Sequence, residues 1–235
     1  MKERDRKVRD AVPFYKNDIL DIDYKQAEFV YRTIKPYFSG KIALELGPAS
    51  GYMTKYLADD FEKLHIVEGS VDLINQIPDY INVIKHCCMF EDFSTDLKFN
   101  TIIMSHVLEH IENPSEVLGK IKTWLADDGV FIVSVPNAKS IHRIVAVKMG
   151  MLPMESSLNE RDHALGHYRV YDLDMLCKHI SEAGFKVIQT GGSFLKPLSN
   201  GQIEQYWTPE MIEGFFEVGK IFPEHCAEIF AICSK

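Results

Sequence analysis

Short apolar runs alternate with amphipathic segments along most of the chain, the order expected when strands and helices follow one another in a βαβ sheet. A first helix is predicted over about Tyr24–Phe38, with Ala27, Tyr31, Ile34 and Phe38 on one stripe. Pro36 and Gly40 stop it. Lys41–Leu46 reads as a strand that runs straight into Gly47-Pro48-Ala49-Ser50-Gly51, and a helix over Tyr52–Ala58 follows. Leu64–Glu68 is a second strand, with a helix from about Ser70 to Ile77, and Ile81–Lys85 and Thr101–Ser105 are the third and fourth. Asn113-Pro114 opens the next helix, with Asn as cap, Pro at the first helical position, and Val117, Leu118, Ile121 and Leu125 as its apolar face. Asp128-Gly129 ends it before Val130–Val135, a β-branched fifth strand.

From Ala138 to Arg169 the periodicity loosens: a short helix at about Ile141–Met149, Pro153, then a polar loop. Asp172 caps a helix that runs to Ala183 and is ended by Gly184. Strands are predicted at Phe185 to about Gln189 and at Cys226–Cys233, seven in all, separated by an irregular insertion, Leu195–Glu224, with a helix begun by Thr208-Pro209. There are no repeats or low-complexity tracts. The expectation is one domain over 1–235, with an N-terminal helical region (1–40), 138–169 and 195–224 forming a cap over the substrate.

Composition narrows this reading. Of 235 residues, 46% are hydrophobic and 26% charged, enough apolar material for a single large core. No apolar run approaches the roughly 18–20 residues of a membrane span. Met1–Asp10 is rich in charge and lacks the apolar core of a signal peptide, which predicts a cytoplasmic protein. Twenty-six Lys and Arg against 34 Asp and Glu give −8, and no basic stripe stands out, so nucleic acid is not the expected partner. The five cysteines have no metal-ligand spacing and read as buried, reduced thiols.

The chemistry concentrates at strand ends. A strand, a glycine turn and a helix place unpaired N–H groups where a nucleotide-like ligand can approach closely. The turn Glu45-Leu46-Gly47-Pro48-Ala49-Ser50-Gly51 is neither GxGxxG nor a P-loop. About twenty residues on, the second strand ends in Glu68, an acid able to accept both hydroxyls of a ribose. Met89 and Phe90, followed by acids, offer apolar faces to an adenine; the plainer alternative is core packing. The fourth strand runs into Ser105-His106-Val107-Leu108-Glu109-His110-Ile111.

E-x-G-x-x-x-G, an acid ending the second strand and S-H-V-L-E-H-I ending the fourth together resemble the class I S-adenosyl-L-methionine (SAM)-dependent methyltransferases. The resemblance is to the small-molecule branch that includes the ubiquinone and menaquinone biosynthesis enzymes, and it covers about Lys41 to Gln189. It implies a Rossmann-like α/β fold: a seven-stranded, mostly parallel sheet, last strand antiparallel, with helices on both faces and a small cap. It implies S-adenosyl-L-methionine as cofactor, with Glu45, Gly47 and Gly51 at its methionine end, Glu68 on the ribose, and Met89 and Phe90 by the adenine. Ser105 and His106 would lie beneath the sulfonium, and His110 would cap or pack the following loop. Many members carry Gly where this chain has Pro48 or Ala49, so the loop is stiffer here.

Asp162–Tyr171 carries His163, His167 and Arg169 ahead of a capped helix, groups able to surround a carboxylate, phosphate or hydroxyl; the plainer alternative is a solvated loop. His163, His167, Arg169 and His106 are the candidate catalytic groups. A metal site is not expected, because no third ligand of recognisable spacing accompanies His163 and His167. Tyr15, Tyr171 and Trp207 are candidate substrate contacts, and a pocket built on such aromatics would suit an apolar or peptide-like acceptor. The expected reaction is methylation of an oxygen, carboxylate or hydroxyl, on a small metabolite or peptide, by a monomer or homodimer. C- or N-methylation, or a SAM- or nucleotide-binding module without catalysis, are the alternatives.

Overall fold

Residues 22–235 are described by the computed structural model; Tyr15 lies outside them. A seven-stranded sheet forms the centre. Its strands are β1 (Ile42–Leu46), β2 (Lys63–Glu68), β3 (Val83–Cys87), β4 (Phe99–Ser105), β5 (Leu125–Pro136), β6 (Lys186–Ser193) and β7 (Glu228–Ser234). They are ordered β3-β2-β1-β4-β5-β7-β6. β1 to β5 are parallel, and β7 runs antiparallel between β5 and β6. This is the expected Rossmann-like sheet.

Alternation along the strands divides the core in two. Leu44, Ile102, Met104, Phe131, Val133 and Ala231 face one side, against Val117, Leu118 and Ile121 of helix α4 (Pro114–Trp124) and Leu176 and Ile180 of α7 (Leu173–Glu182). Ala43, Ile66, Ile103, Ile132 and Ile232 face the other, against Val30, Tyr31 and Ile34 of α1 (Ile22–Ile34) and Leu57 of α2 (Thr54–Asp60). Both faces of each central strand are therefore apolar, as burial between two helical layers requires.

Several boundaries differ from the sequence expectation. The fifth strand starts at Leu125 rather than Val130, because Leu125 pairs with Phe99 ahead of a register shift, and α4 stops at Trp124. Asn113 precedes Pro114 without a side-chain cap bond. The helix predicted over Ser70–Ile77 shortens to α3 (Val71–Ile74), capped by Ser70. The 195–224 stretch is not irregular: it holds α8 (Asn200–Tyr206) and α9 (Pro209–Gly219), the latter capped by Thr208. These two pack on α1 through Ile22, Phe29, Phe194, Ile203 and Phe216. The remaining helices, α5 (Ile141–Lys148) and α6 (Glu160–Leu165), follow β5. Cys226 and Cys233 are buried free thiols, but Cys87 is exposed.

β2 and β4 flank β1, so successive connections leave in opposite directions there. That reversal opens a crevice at the carboxyl ends of β1 and β4, the usual ligand position in such sheets.

Candidate active site

The loop after β1 is tied down by its neighbours. Gly47 has φ +70°, and a Cβ on it would stand 2.4 Å from Val107 Cγ2, so only glycine fits. Ala49 also takes a left-handed φ of +50°. Its N–H donates to Glu68 Oε2 at 3.1 Å, and Ser70 N–H donates to Oε1 at 2.9 Å. Glu68 is thus buried and turned onto the loop. Burial raises its pKa, and these N–H groups oppose the rise. Gly51 N–H closes the turn on the Pro48 carbonyl at 2.8 Å.

Glu45 sits under the loop, 4% exposed, accepting a 2.6 Å hydrogen bond from Thr54 Oγ1. Burial pushes its carboxyl up to about 7 against that bond, with Glu68 adding to the rise. Phe90 Cζ stands 3.5 Å from where a Gly47 Cβ would be, and Met89 Sδ 2.5 Å from the same point on Gly69. Both therefore lie against the ends of β1 and β2.

Next to the loop opens a cavity of about 240 Å³, walled by Glu45, Gly47, Ser105 and His106 on the sheet side. Asp23 of α1, Arg143 of α5, Asp162 of α6 and Lys196 close it from the cap. Trp207 does not line this cavity, and Tyr15 lies outside the described residues. Gly51, Glu68, Met89 and Phe90 do not line this cavity; they flank the loop beside it.

His106 carries φ +55°, which turns its ring into the cavity. Its Nε2 is 3.0 Å from Glu228 Oε2 and its Nδ1 3.8 Å from Glu109 Oε1. Burial works against a charge there, but Glu228, Glu109 and Asp23 raise the imidazole to about 9, so it is an imidazolium near neutral pH. Glu228 begins β7; because β7 is antiparallel, its first residue arrives where the parallel strands end.

Glu109 is 1% exposed, and neither of its carboxylate oxygens has a hydrogen-bond partner. His110, expected only to cap or pack, reaches the cavity wall with its ring 4.6 Å from that of His167. Burial, with the positive fields of His167 and His106, lowers the His110 imidazole to about 3. His167 Nδ1 lies 3.1 Å from Asp162 Oδ1, and Asp162 Oδ2 is 3.2 Å from Arg143 Nη1. Burial disfavours the Asp162 charge, yet His167, the Asn159 N–H and Arg143 hold its carboxyl down to about 2. One ligand atom each from Glu109, His110 and His167 lies within 4.8 Å of the others. The two groups that gather around His167 thus come from the β4 turn, while His163 takes no part.

Other sequence candidates fall elsewhere. His163 is exposed on α6 and does not line the cavity. Arg169 donates to the carbonyls of Leu108, Ile111 and, at 2.9 Å, Glu112, so it latches the turn that carries Glu109 and His110 instead of meeting substrate. Tyr171 is fully buried, its hydroxyl 3.1 Å from His179 Nδ1. Trp207 stacks on Phe215 at 4.3 Å in the α1/α8/α9 cluster. The missed residues are Glu228, Arg143, Asp162 and Lys196. The Asn159-to-Asp162 capping box was a legible helix start, but the ion pair that reuses Asp162 was not.

The family model for a methyltransferase domain matches residues 21–190, most of the chain. The chain belongs to that family. An S-adenosylmethionine-dependent methyltransferase from Mesorhizobium loti superposes with a TM-score of 0.63, covering 89% of this chain and 98% of that one at 12% identity. A malonyl-[acyl-carrier protein] O-methyltransferase from Bacillus cereus is 23% identical over 69% of this chain. An (S)-tetrahydroprotoberberine N-methyltransferase from Eschscholzia californica is 21% identical over 54%. The chain spans 65% and 39% of the lengths of these two relatives. The domain is that of a SAM-dependent methyltransferase, and S-adenosyl-L-methionine is its cofactor. The donor set fits: a buried acid with a single hydroxyl partner suits a cationic α-amino group, and bare Gly47 leaves room for the chain beside it. Among the described residues no helix is long and apolar enough to cross a membrane.

Proposed function

We propose that this methyltransferase acts on an oxygen of a small polar metabolite or peptide seated between the β4 turn and the cap. The observation that carries the reading is the cluster of Glu109, His110 and His167 on the wall of the cavity that Ser105 and His106 also line, with the unpartnered Glu109 carboxylate at its centre. When bound, the cofactor supplies a sulfonium methyl: a C–O bond forms as the methyl–sulfur bond breaks and its electron pair stays on sulfur.

Alignment and exclusion of water are then the protein's main tasks. Glu45 takes the cofactor's ammonium, Gly47 and Gly51 admit its methionine backbone, and Glu68, Met89 and Phe90 hold the ribose and adenine. Reaching a ribose requires Glu68 to share the oxygens that now accept Ala49 and Ser70 N–H, each of which keeps a second lone pair. Ser105, whose hydroxyl accepts from Ser134 at 2.8 Å, floors the sulfonium region. His106, cationic between Glu109 and Glu228, donates to the acceptor oxygen, while Glu109, whose two carboxylate oxygens have no hydrogen-bond partner, takes that oxygen's proton.

The O-methylating relative from Bacillus cereus supports this reading. Nitrogen methylation is the second reading, supported by the N-methylating relative and by the carboxylates of Glu109 and Glu228, which would attract an amine. Incubation with SAM carrying a labelled methyl group and a metabolite extract, followed by mass spectrometry of labelled products, decides between them. Labelled esters or ethers are expected; labelled amines alone would overturn the oxygen assignment.

A further inference from the structure

Glu109 presents an anomaly that the proton-transfer role leaves unexplained. A carboxylate 1% exposed, with neither oxygen hydrogen-bonded, is costly unless something cationic meets it. The nearest groups, His106 Nδ1 and His110 Nε2, are 3.8 and 3.9 Å away, beyond hydrogen-bond reach. One oxygen from Glu109 and one ring nitrogen each from His110 and His167 converge within 4.8 Å.

We propose that Glu109, His110 and His167 bind a divalent first-row transition-metal ion, and that this ion holds the acceptor oxygen. Two imidazoles and one carboxylate are a ligand set suited to such ions, and three protein ligands leave positions open for water or substrate oxygen. His167 is already oriented as a metal ligand is: Asp162 engages Nδ1 at 3.1 Å, leaving Nε2 for the ion, and Arg143 fixes Asp162 from behind at 3.2 Å. Glu109 and His110 come from the turn after β4, His167 from the loop after α6, so a bound ion also fastens the cap to the sheet. Tyr168 N–H donates to the Glu109 carbonyl at 2.8 Å, which holds the two segments in register. The ion's part in methyl transfer rests on the oxygen-acceptor reading; its binding does not.

The test uses the full chain, stripped with a chelator, and needs no acceptor. Zn²⁺ is titrated against a chromophoric chelator, and Co²⁺ is added separately to record the absorption of a nitrogen-coordinated ion. One equivalent per chain is expected, with His110→Ala, His167→Ala and Glu109→Gln each weakening binding by about 100-fold or more. His163→Ala, four residues from His167 but exposed, should bind metal as the parent does. Circular dichroism and calorimetric SAM binding report whether each variant is folded, and the parent's Co²⁺ spectrum stands without any variant. A parent chain that takes up neither ion at micromolar concentrations, or an equal loss in His163→Ala, would overturn the site. Stoichiometric metal together with N-methylated product would sink the oxygen reading while leaving the metal site in place.

Discussion

Replacing Glu45 by Gln should stabilise the folded chain in a pH-dependent way while weakening cofactor binding. Glu45 is 4% exposed and its carboxyl is raised from 4.5 to about 7, chiefly by burial. Between those values the folded chain keeps a proton that the unfolded chain has released. Raising the pH across that window therefore favours unfolding, and the loss is complete above about 7. The gap of about 2.5 pH units, at about 1.4 kcal/mol each, amounts to about 3 kcal/mol at pH 8 and under about 1 kcal/mol at pH 5. Gln is nearly isosteric, carries no charge to desolvate, and its carbonyl can still accept from Thr54 Oγ1, now 2.6 Å from Glu45.

Urea denaturation of both proteins at pH 5 and pH 8, extrapolated linearly to water, measures the difference. The variant should gain about 3 kcal/mol at pH 8 and under about 1 kcal/mol at pH 5. Calorimetry should meanwhile show SAM bound about 10- to 100-fold more weakly, the loss expected of one charge-assisted hydrogen bond. An equal stability change at the two pH values would refute the buried-carboxylate argument, whatever happened to SAM.

Gly47→Ala places a methyl 2.4 Å from Val107 Cγ2 at φ +70° and should lower stability by about 2 kcal/mol with loss of SAM binding; adding Val107→Ala should restore part of the stability in a urea melt. Asp162→Ala removes the carboxylate partner of Arg143, which is 6% exposed, and should cost about 3 kcal/mol by the same measurement. His163→Ala should change neither stability nor turnover by more than about 0.5 kcal/mol equivalent. Arg169→Ala should cost about 2–3 kcal/mol through three abandoned carbonyls, and Arg169→Lys should recover little, since one ammonium cannot span the 108–112 turn. A pure rise in the acceptor KM with unchanged stability would instead put Arg169 back at the substrate.

Strand positions were legible because the sheet is buried on both faces. Leu44, Ile103 and Val133 belong to continuous apolar runs that no surface segment would carry. The glycine turn was legible because Gly47 is a local requirement of backbone geometry. The α8/α9 region was harder to read: its apolar positions point at α1 and at one another, and that partner is far away in sequence. Arg169 and Tyr171 misled for the opposite reason. A cation and a phenol in a His-rich loop look like substrate ligands, yet their partners are main-chain carbonyls and His179, which a sequence does not display.

The sequence by itself determined the strand–loop–helix order, the glycine turn at Gly47–Gly51 and the acid at Glu68 that ends β2, because each depends on neighbours a few residues away or on strand ends at regular spacing. Tertiary structure alone decided what lines the cavity beside that turn. The antiparallel entry of β7 delivers Glu228 to His106, and the return of the chain after α6 sets His167 against Glu109 and His110, residues 58 and 57 positions earlier. Such contacts follow from how the cap closes over the sheet, and nothing local in the chain encodes them.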